Sequence, residues 1–205
     1  MKTLQIIGAG GHTRSLLSLL DELDCYNIEG VYDNSYAKFP DEIIGNYHLK
    51  GNLNALSATK ELLVVSIGNN AKRKAFVDQF SDCLLKENLI SKFAIIRDDV
   101  VFGFSNQIFP QVFINSLATV GNHCIVNSKA LIEHESSIGD FCHIAVGAII
   151  CGRVKVGNNC MIGAGSVIKN NIKICDDVII GAGAVVVNNI DSPGTYVGNP
   201  LRRIS

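Results

Sequence analysis

His134 stands between two carboxylates in the run Ile132-Glu133-His134-Glu135. An imidazole ordinarily titrates at about pH 6.5, and an adjacent carboxylate can orient the ring or stabilise its cation, so the pattern suits general-base chemistry. Adjacency does not decide which glutamate reaches the ring, and an ordinary surface histidine is the competing reading. A second chemical signal lies near the start of the chain, where Gly8-Ala9-Gly10-Gly11-His12-Thr13-Arg14 follows the apolar run Leu4-Gln5-Ile6-Ile7 and leads into a helical pattern. Such a turn presents backbone N–H groups and a positive helix end to an anion. Thr13 occupies the last position of G-x-G-x-x-G, so the dinucleotide fingerprint is incomplete even though Asp33 lies near the distance of a ribose contact. A nucleotide or nucleotide-sugar phosphate is the better functional reading, with Gly10, Gly11, His12, Asp33, Asn34 and Gly68 around it; the alternative is a purely structural turn.

The other histidines and the cysteines are less pointed. His143 immediately precedes an apolar position and is expected to face outward from a flat surface, while His123 falls at a corner. Half a coil separates His134 from His143, and in a trimer both could enter one intersubunit cleft. The seven cysteines include no C-x-x-C pair, so neither a zinc site nor a disulfide framework is indicated. No metal is expected. Cys124, Cys142 and Cys160, eighteen residues apart, are expected to stack as small interior side chains.

The elements that must hold these residues follow two different rules. From Phe102 to Val186 every sixth residue is aliphatic or aromatic without a break. A period of six is neither helical nor a simple strand alternation and marks a stacked parallel β-helix, three hexads to a coil. Small residues precede many of the apolar positions by two, among them Ala118, Cys124, Ser136, Ala148 and Ser166, and are expected to point inward. Gly103, Gly121, Gly139 and Gly157 form a column eighteen apart, where the backbone needs either room or an unusual φ. The register extends weakly back through Ile96 and Ile90. Before it, strands at Leu4–Ile7, Ile28–Tyr32 and Leu62–Ile67 alternate with helices at Ser15–Leu23 and about Lys72–Phe80, which argues a small parallel sheet with a ligand edge at the strands' carboxyl ends. The expected architecture is an α/β Rossmann-like domain over residues 1–88, then a left-handed parallel β-helix over 89–191, with a tail over 192–205. The flanking segments could cover the open ends of the solenoid.

Composition narrows the partners. A 205-residue chain that is 47% hydrophobic can build an ample core, and a formal charge of −1 leaves no basic footprint for nucleic acid or polybasic membrane anchor. No stretch approaches the roughly 20 apolar residues of a membrane span, and the N-terminal run ends in glycines rather than a cleavage site. A cytoplasmic protein is expected.

Taken in order, the glycine turn at 8–12, Asp33-Asn34, Ile67-Gly68-Asn69-Asn70, the Ile132–Glu135 segment, the hexads and Gly198-Asn199-Pro200-Leu201-Arg202-Arg203 resemble the NeuD/PglD-like sugar O/N-acetyltransferases of the hexapeptide-repeat acyltransferase superfamily. The resemblance covers essentially the whole chain. It implies a homotrimer with acetyl-CoA along the groove between adjacent β-helices and a nucleotide-linked amino sugar on the N-terminal domain, in bacterial surface-glycan biosynthesis. By position, His134 resembles the catalytic base and Glu135 its polarising carboxylate; His143 and Gly152 match positions near the thioester, and Ala164 and Ala182 match contacts to the pantetheine arm. Gly10, Gly11, His12, Asp33, Asn34 and Gly68 match nucleotide-sugar contacts. The chain departs from the commonest pattern at Asn34, where a second aspartate often stands, and at Leu201, where alanine is usual. N-acetylation of a UDP- or dTDP-4-amino-4,6-dideoxyhexose is the expected reaction. The rivals are O-acetylation of a sialic-acid-like sugar, a catalytically silent binding or structural solenoid, and a nucleotide-dependent oxidoreductase.

Overall fold

The computed structural model describes residues 1–38, 42–56 and 61–205. The chain divides into two compact units, Met1–Lys86 and Glu87–Ser205. In the first, β1 (Lys2–Ile7), β2 (Tyr26–Tyr32), β3 (Ile43–Ile44), β4 (Tyr47–Gly51) and β5 (Leu62–Val65) form one sheet in the order β3-β4-β2-β1-β5. Pairing is parallel except between β3 and β4. The short β3–β4 hairpin carries no run long enough to announce itself in the sequence. Because β2 and β5 flank β1 on opposite sides, the chain reverses direction across the sheet at β1. A crevice therefore opens at the carboxyl ends of β1 and β5.

Helix α1 (Gly11–Leu23) starts four residues before the expected Ser15, because Gly10 takes an extended conformation as N-cap and the second glycine already lies in the first turn. Its buried stripe of Thr13, Leu16, Leu17, Leu19 and Leu20 follows helical spacing. Helix α2 (Asn70–Gln79) likewise starts two residues early, since the Asn69 side chain accepts from Lys72 N and caps it. β5 ends two residues sooner than its apolar run, where Ser66 N donates to Ile7 O and the chain turns into Ile67-Gly68.

The second unit is the hexapeptide-repeat, left-handed parallel β-helix that the period-six pattern implies. Its two-residue strands stack into three parallel faces, each pairing with the strand eighteen residues on. The first face runs from Ile95–Ile96 to Val185–Val186, the second from Val101–Phe102 to Lys173–Ile174. The third starts at Leu89–Ile90 and passes through Val178–Ile180 into Gly194–Val197, against which Arg202–Arg203 pairs antiparallel. The C-terminal residues thus add strands to this face, and the antiparallel turn-back ends the parallel ladder.

The hexad residues from Ile108 to Val186 are buried, joined by Ala118, Cys124, Ala130, Cys142, Ala148, Cys160 and Ala184 in one core. Each stacked thiol finds a carbonyl: Cys124, Cys142 and Cys160 Sγ lie 3.1, 3.0 and 3.2 Å from the Gly139, Gly157 and Cys175 oxygens. Every sixth residue from Ser105 to Gly183 has positive φ, and these are the corners of the prism. Most are not glycine, a conformation that costs an L-residue roughly 1–2 kcal/mol. At most of them an N–H bond to the coil beneath offsets the strain, as in Glu135 N to Ser116 O at 3.0 Å and Arg153 N to His134 O at 2.9 Å.

The glycine column resolves in favour of room. A Cβ on Gly139 would lie 2.7 Å from both Asn158 Oδ1 and the Gly157 carbonyl carbon. What crowds it is a polar ladder along the same edge, in which Asn122 N donates to Asp140 Oδ1 (2.7 Å), Asp140 N to Asn158 Oδ1 (2.8 Å) and Asn158 N to Asp176 Oδ1 (2.8 Å).

Candidate active site

The corner between the first and second faces holds His134. Its Nδ1 lies 3.0 Å from Glu135 Oε2, so Glu135 is the glutamate that reaches the ring. Glu133 is committed elsewhere: its Oε2 accepts from Asn115 Nδ2 at 2.7 Å and from the His134 backbone N–H at 3.2 Å. The same Glu135 oxygen also accepts from Arg153 Nε at 2.8 Å. Hydrogen bonds from Arg153 and then from His134 hold the Glu135 carboxyl below the usual carboxylate range. An ionised carboxylate only accepts, so Nδ1 is the donor to Glu135, and in the neutral ring Nε2 presents the lone pair.

That lone pair sits above backbone. Gly152 occupies the position one coil on from His134, and a Cβ there would lie 2.6 Å from Nε2 and 2.8 Å from Cε1. The ring rests where any other residue at 152 would place a methyl group. His134 and Glu135 keep half and two-fifths of their side-chain surface exposed, so the pair is open to a second reactant. Ser136 Oγ anchors the corner by donating to Cys151 O at 3.0 Å.

The other residues expected near a coenzyme fall elsewhere in the solenoid. His143 lies in a strand of the third face, between Ile125 and Met161, and is buried. Within one chain it is on a different face from the His134 corner. Ala164 and Ala182 are exposed at successive turns of the corner between the third and first faces, each followed by a positive-φ glycine, Gly165 or Gly183. His123, at the remaining corner, is buried and stacks on Phe141 with ring centres 5.0 Å apart.

In the N-terminal unit the crevice at β1 and β5 is a cleft of about 620 Å³. All six residues expected there line it: Gly10, Gly11, His12, Asp33, Asn34 and Gly68. Gly8 has φ +109°, and a Cβ on it would lie 2.7 Å from Ser66 O, so only glycine fits. Gly10 and Gly11, by contrast, would direct a Cβ into open space, which leaves the helix end accessible to a ligand. Gly10, the N-cap of α1, supplies no side-chain cap. Thr13 explains the missing third glycine, since its buried hydroxyl lies 2.8 Å from Gly8 O and 3.2 Å from Ser66 O and ties the two strand ends together. Asp33 lines the cleft and also holds its edge together, accepting from Ala9 N at 3.0 Å and Ser35 N at 2.8 Å.

Ser66 and Lys72 also line the cleft and escape the sequence pattern, as do Arg73 and Arg153. Ser66 Oγ is buried with no hydrogen-bond partner among the described residues, as expected of a group that awaits a ligand. Buried Arg73 holds the Ile67-Gly68 turn, its Nη1 donating to the Ile67 and Gly68 oxygens at 3.0 and 3.2 Å. Its place beside Asn70 and Val77 on the inward stripe of α2 was the available signal. For Arg153 the signal was its position one coil beyond Glu135.

Residues 3–80 match the family model described as the PglD N-terminal domain. Residues 135–170 and 153–189 match the bacterial transferase hexapeptide model of six repeats. No curated protein matches the chain. Among solved structures, the acetyltransferase domain of PglB from Neisseria gonorrhoeae FA1090 is 25% identical with a TM-score of 0.90, the match covering 100% of each chain. The same domain in complex with acetyl coenzyme A is matched at 26% identity and a TM-score of 0.88, over 99% of each chain. A mutant perosamine N-acetyltransferase from Caulobacter crescentus, in complex with CoA and GDP-perosamine, shares the fold at 24% identity and a TM-score of 0.89, over 100% of this chain and 98% of that one. The chain thus carries an α/β unit that matches the PglD N-terminal domain model, followed by coils that match the bacterial transferase hexapeptide model, and over its whole length it is similar to acetyltransferases of the NeuD/PglD-like kind.

Proposed function

We propose that this chain transfers the acetyl group of acetyl-CoA to the amine of a nucleotide-linked amino sugar, with His134 as general base. The coarse activity, acetyl-CoA-dependent acetylation of a sugar, is that of the acetyltransferases it resembles. The observation that carries the finer reading is the His134 ring: Nδ1 is engaged by Glu135 at 3.0 Å and Nε2 is turned over Gly152.

In this mechanism the neutral sugar amine attacks the thioester carbonyl and a C–N bond forms. His134 Nε2 takes a proton from the attacking nitrogen while Glu135 stabilises the resulting imidazolium. A backbone N–H at the Gly152 turn stabilises the oxyanion. Collapse of the tetrahedral intermediate breaks the C–S bond, and the CoA thiolate leaves with the proton from His134. No covalent enzyme intermediate is formed. Cys124, Cys142 and Cys160 are buried in the core, away from any nucleophilic role.

The N-terminal cleft suits the nucleotide portion, the uncapped α1 end and Lys72 facing a diphosphate and the Ser66 hydroxyl supplying a buried polar contact. The acceptor in this reading is a UDP- or dTDP-4-amino-4,6-dideoxyhexose. His143, Gly152, Ala164 and Ala182 serve acetyl-CoA. The active unit is a homotrimer in the cytoplasm, supported by an apolar column on the first face, where Ile95 and Ile149 are exposed and Phe113, Leu131, Val167 and Val185 half-buried.

Thiol release from acetyl-CoA, measured against UDP-, dTDP- and GDP-linked 4-amino-4,6-dideoxyhexoses, their 3-amino counterparts and free sialic acid, tests the assignment. Turnover with a UDP- or dTDP-linked 4-amine is expected, and His134→Ala should lose at least ~10²-fold in kcat. Activity on sialic acid alone would move the reaction to O-acetylation, and silence throughout would leave a binding protein.

A further inference from the structure

We propose that Arg153 is a positioning residue for this acetyl transfer, its guanidinium holding the Glu135 carboxylate in the arrangement that orients the His134 ring. The inference rests on the reading of His134 as base. Its basis is a shared atom: Glu135 Oε2 accepts both from His134 Nδ1 at 3.0 Å and from Arg153 Nε at 2.8 Å. Glu135 and Arg153 are stacked one coil apart, both with positive φ, at 59° and 61°. Their backbones are therefore fixed by the corner geometry, and the ion pair has only side-chain freedom to lose. Arg153 is itself anchored to the turn that carries the ring, since its backbone N–H donates to His134 O at 2.9 Å.

An exposed pair of this kind contributes little to stability, so the consequence of placing an arginine here lies in what it does to the carboxylate. Without Arg153, Glu135 has one hydrogen-bond donor fewer and its rotamer is less confined, so Nδ1 no longer has a fixed acceptor and Nε2 wanders from its place above Gly152. A misplacement of about 1 Å can cost on the order of a hundredfold in rate. There is a second effect. Arg153 divides the negative charge that Glu135 offers the imidazolium, so its removal leaves the carboxylate wholly to His134 and favours the protonated ring. At the same corner stand Glu133 in the turn of His134 itself, neutral Asn115, Ser116 and Leu117 one coil beneath, and Cys151 and Gly152 one coil above, Gly152 directly against the ring. Glu133 is the remaining carboxylate, held by Asn115 and the His134 N–H.

The test compares the pH dependence of kcat/KM for wild type, Arg153→Gln, Arg153→Lys and His134→Ala, with thermal unfolding to verify folding. Arg153→Gln is expected to lose about ten- to a hundredfold at neutral pH, with the acidic limb displaced to higher pH. Arg153→Lys should return the limb toward wild type because it restores the charge, while recovering only part of the rate because it lacks the planar fork. An unmoved limb in Arg153→Gln, whether with full activity or with a loss confined to the KM for acetyl-CoA, would overturn the positioning role. If His134→Ala itself turns over at the wild-type rate, the base assignment fails and this inference fails with it. A dead His134→Ala beside an unaltered Arg153→Gln profile refutes the role of Arg153 alone.

Discussion

At the scale of single residues, the space at residue 152 decides where His134 Nε2 can sit. Gly152→Ala would set its methyl group 2.6 Å from His134 Nε2. Because the atoms it meets belong to the outer end of a half-exposed side chain, the ring swings away and the coil does not distort. The expected result is a loss of at least ~10²-fold in kcat with an unfolding midpoint close to wild type; thiol-release kinetics and thermal unfolding check it together, and a large loss of stability would mean that the backbone, not the ring, gives way. The histidine was legible from its flanking carboxylates. The choice between Glu133 and Glu135 was not, because it depends on the left-handed backbone at residue 135, which turns that side chain up the corner toward Arg153. Asp33 shows the converse: the sequence places it at the cleft, but its pairing with Ala9 N and Ser35 N follows from strand order, which a linear pattern does not contain.

At the scale of elements, two glycine columns have different physical reasons and different costs. Gly139→Ala forces a methyl group against Asn158 and the Gly157 backbone at 2.7–2.8 Å, an overpacking expected to cost about 2 kcal/mol. Gly147→Ala meets no atom within 4 Å but holds φ +64°, so its expected cost is about 1 kcal/mol. Chemical denaturation of the two variants checks the order, and equal costs would contradict the steric account of the Gly139 column. The sequence reading caught the first column because those glycines directly follow the apolar positions. It passed over Gly147, Gly165 and Gly183 because the remaining corners are filled by residues as varied as Leu117, Phe141 and Arg153. A conformation shared by residue types this varied leaves little compositional trace. The helix starts were misplaced for a related reason, glycine and asparagine caps being read as loop rather than as first turn.

At the scale of the whole molecule, the three faces of the solenoid differ in what they offer water. The second face presents Thr119, Ser137, Lys155 and Lys173 at the outward positions where the first presents Phe113, Leu131, Ile149 and Val167. If copies of the chain associate as the proposed homotrimer through the first face, Ile149→Asp places an unpaired carboxylate in that contact at a cost of several kcal/mol. Sedimentation velocity is expected to give a trimer for the wild type and a smaller species for Ile149→Asp; a monomeric wild type, or a variant that stays trimeric, would refute this use of the face. The outward pattern was present in the sequence, one residue before each hexad position, but only the eighteen-residue stacking sorts it into faces. The ladder of Asn122, Asp140, Asn158 and Asp176 bears on how such a chain lengthens over evolutionary time. Amide and carboxylate alternate from coil to coil, so excising the single coil that carries Asn158 would set Asp140 directly against Asp176, like charge on like charge. Excising the coil that carries Asp140 would instead set the amides of Asn122 and Asn158 together, so which single coil can be lost along this edge depends on whether it carries the amide or the carboxylate.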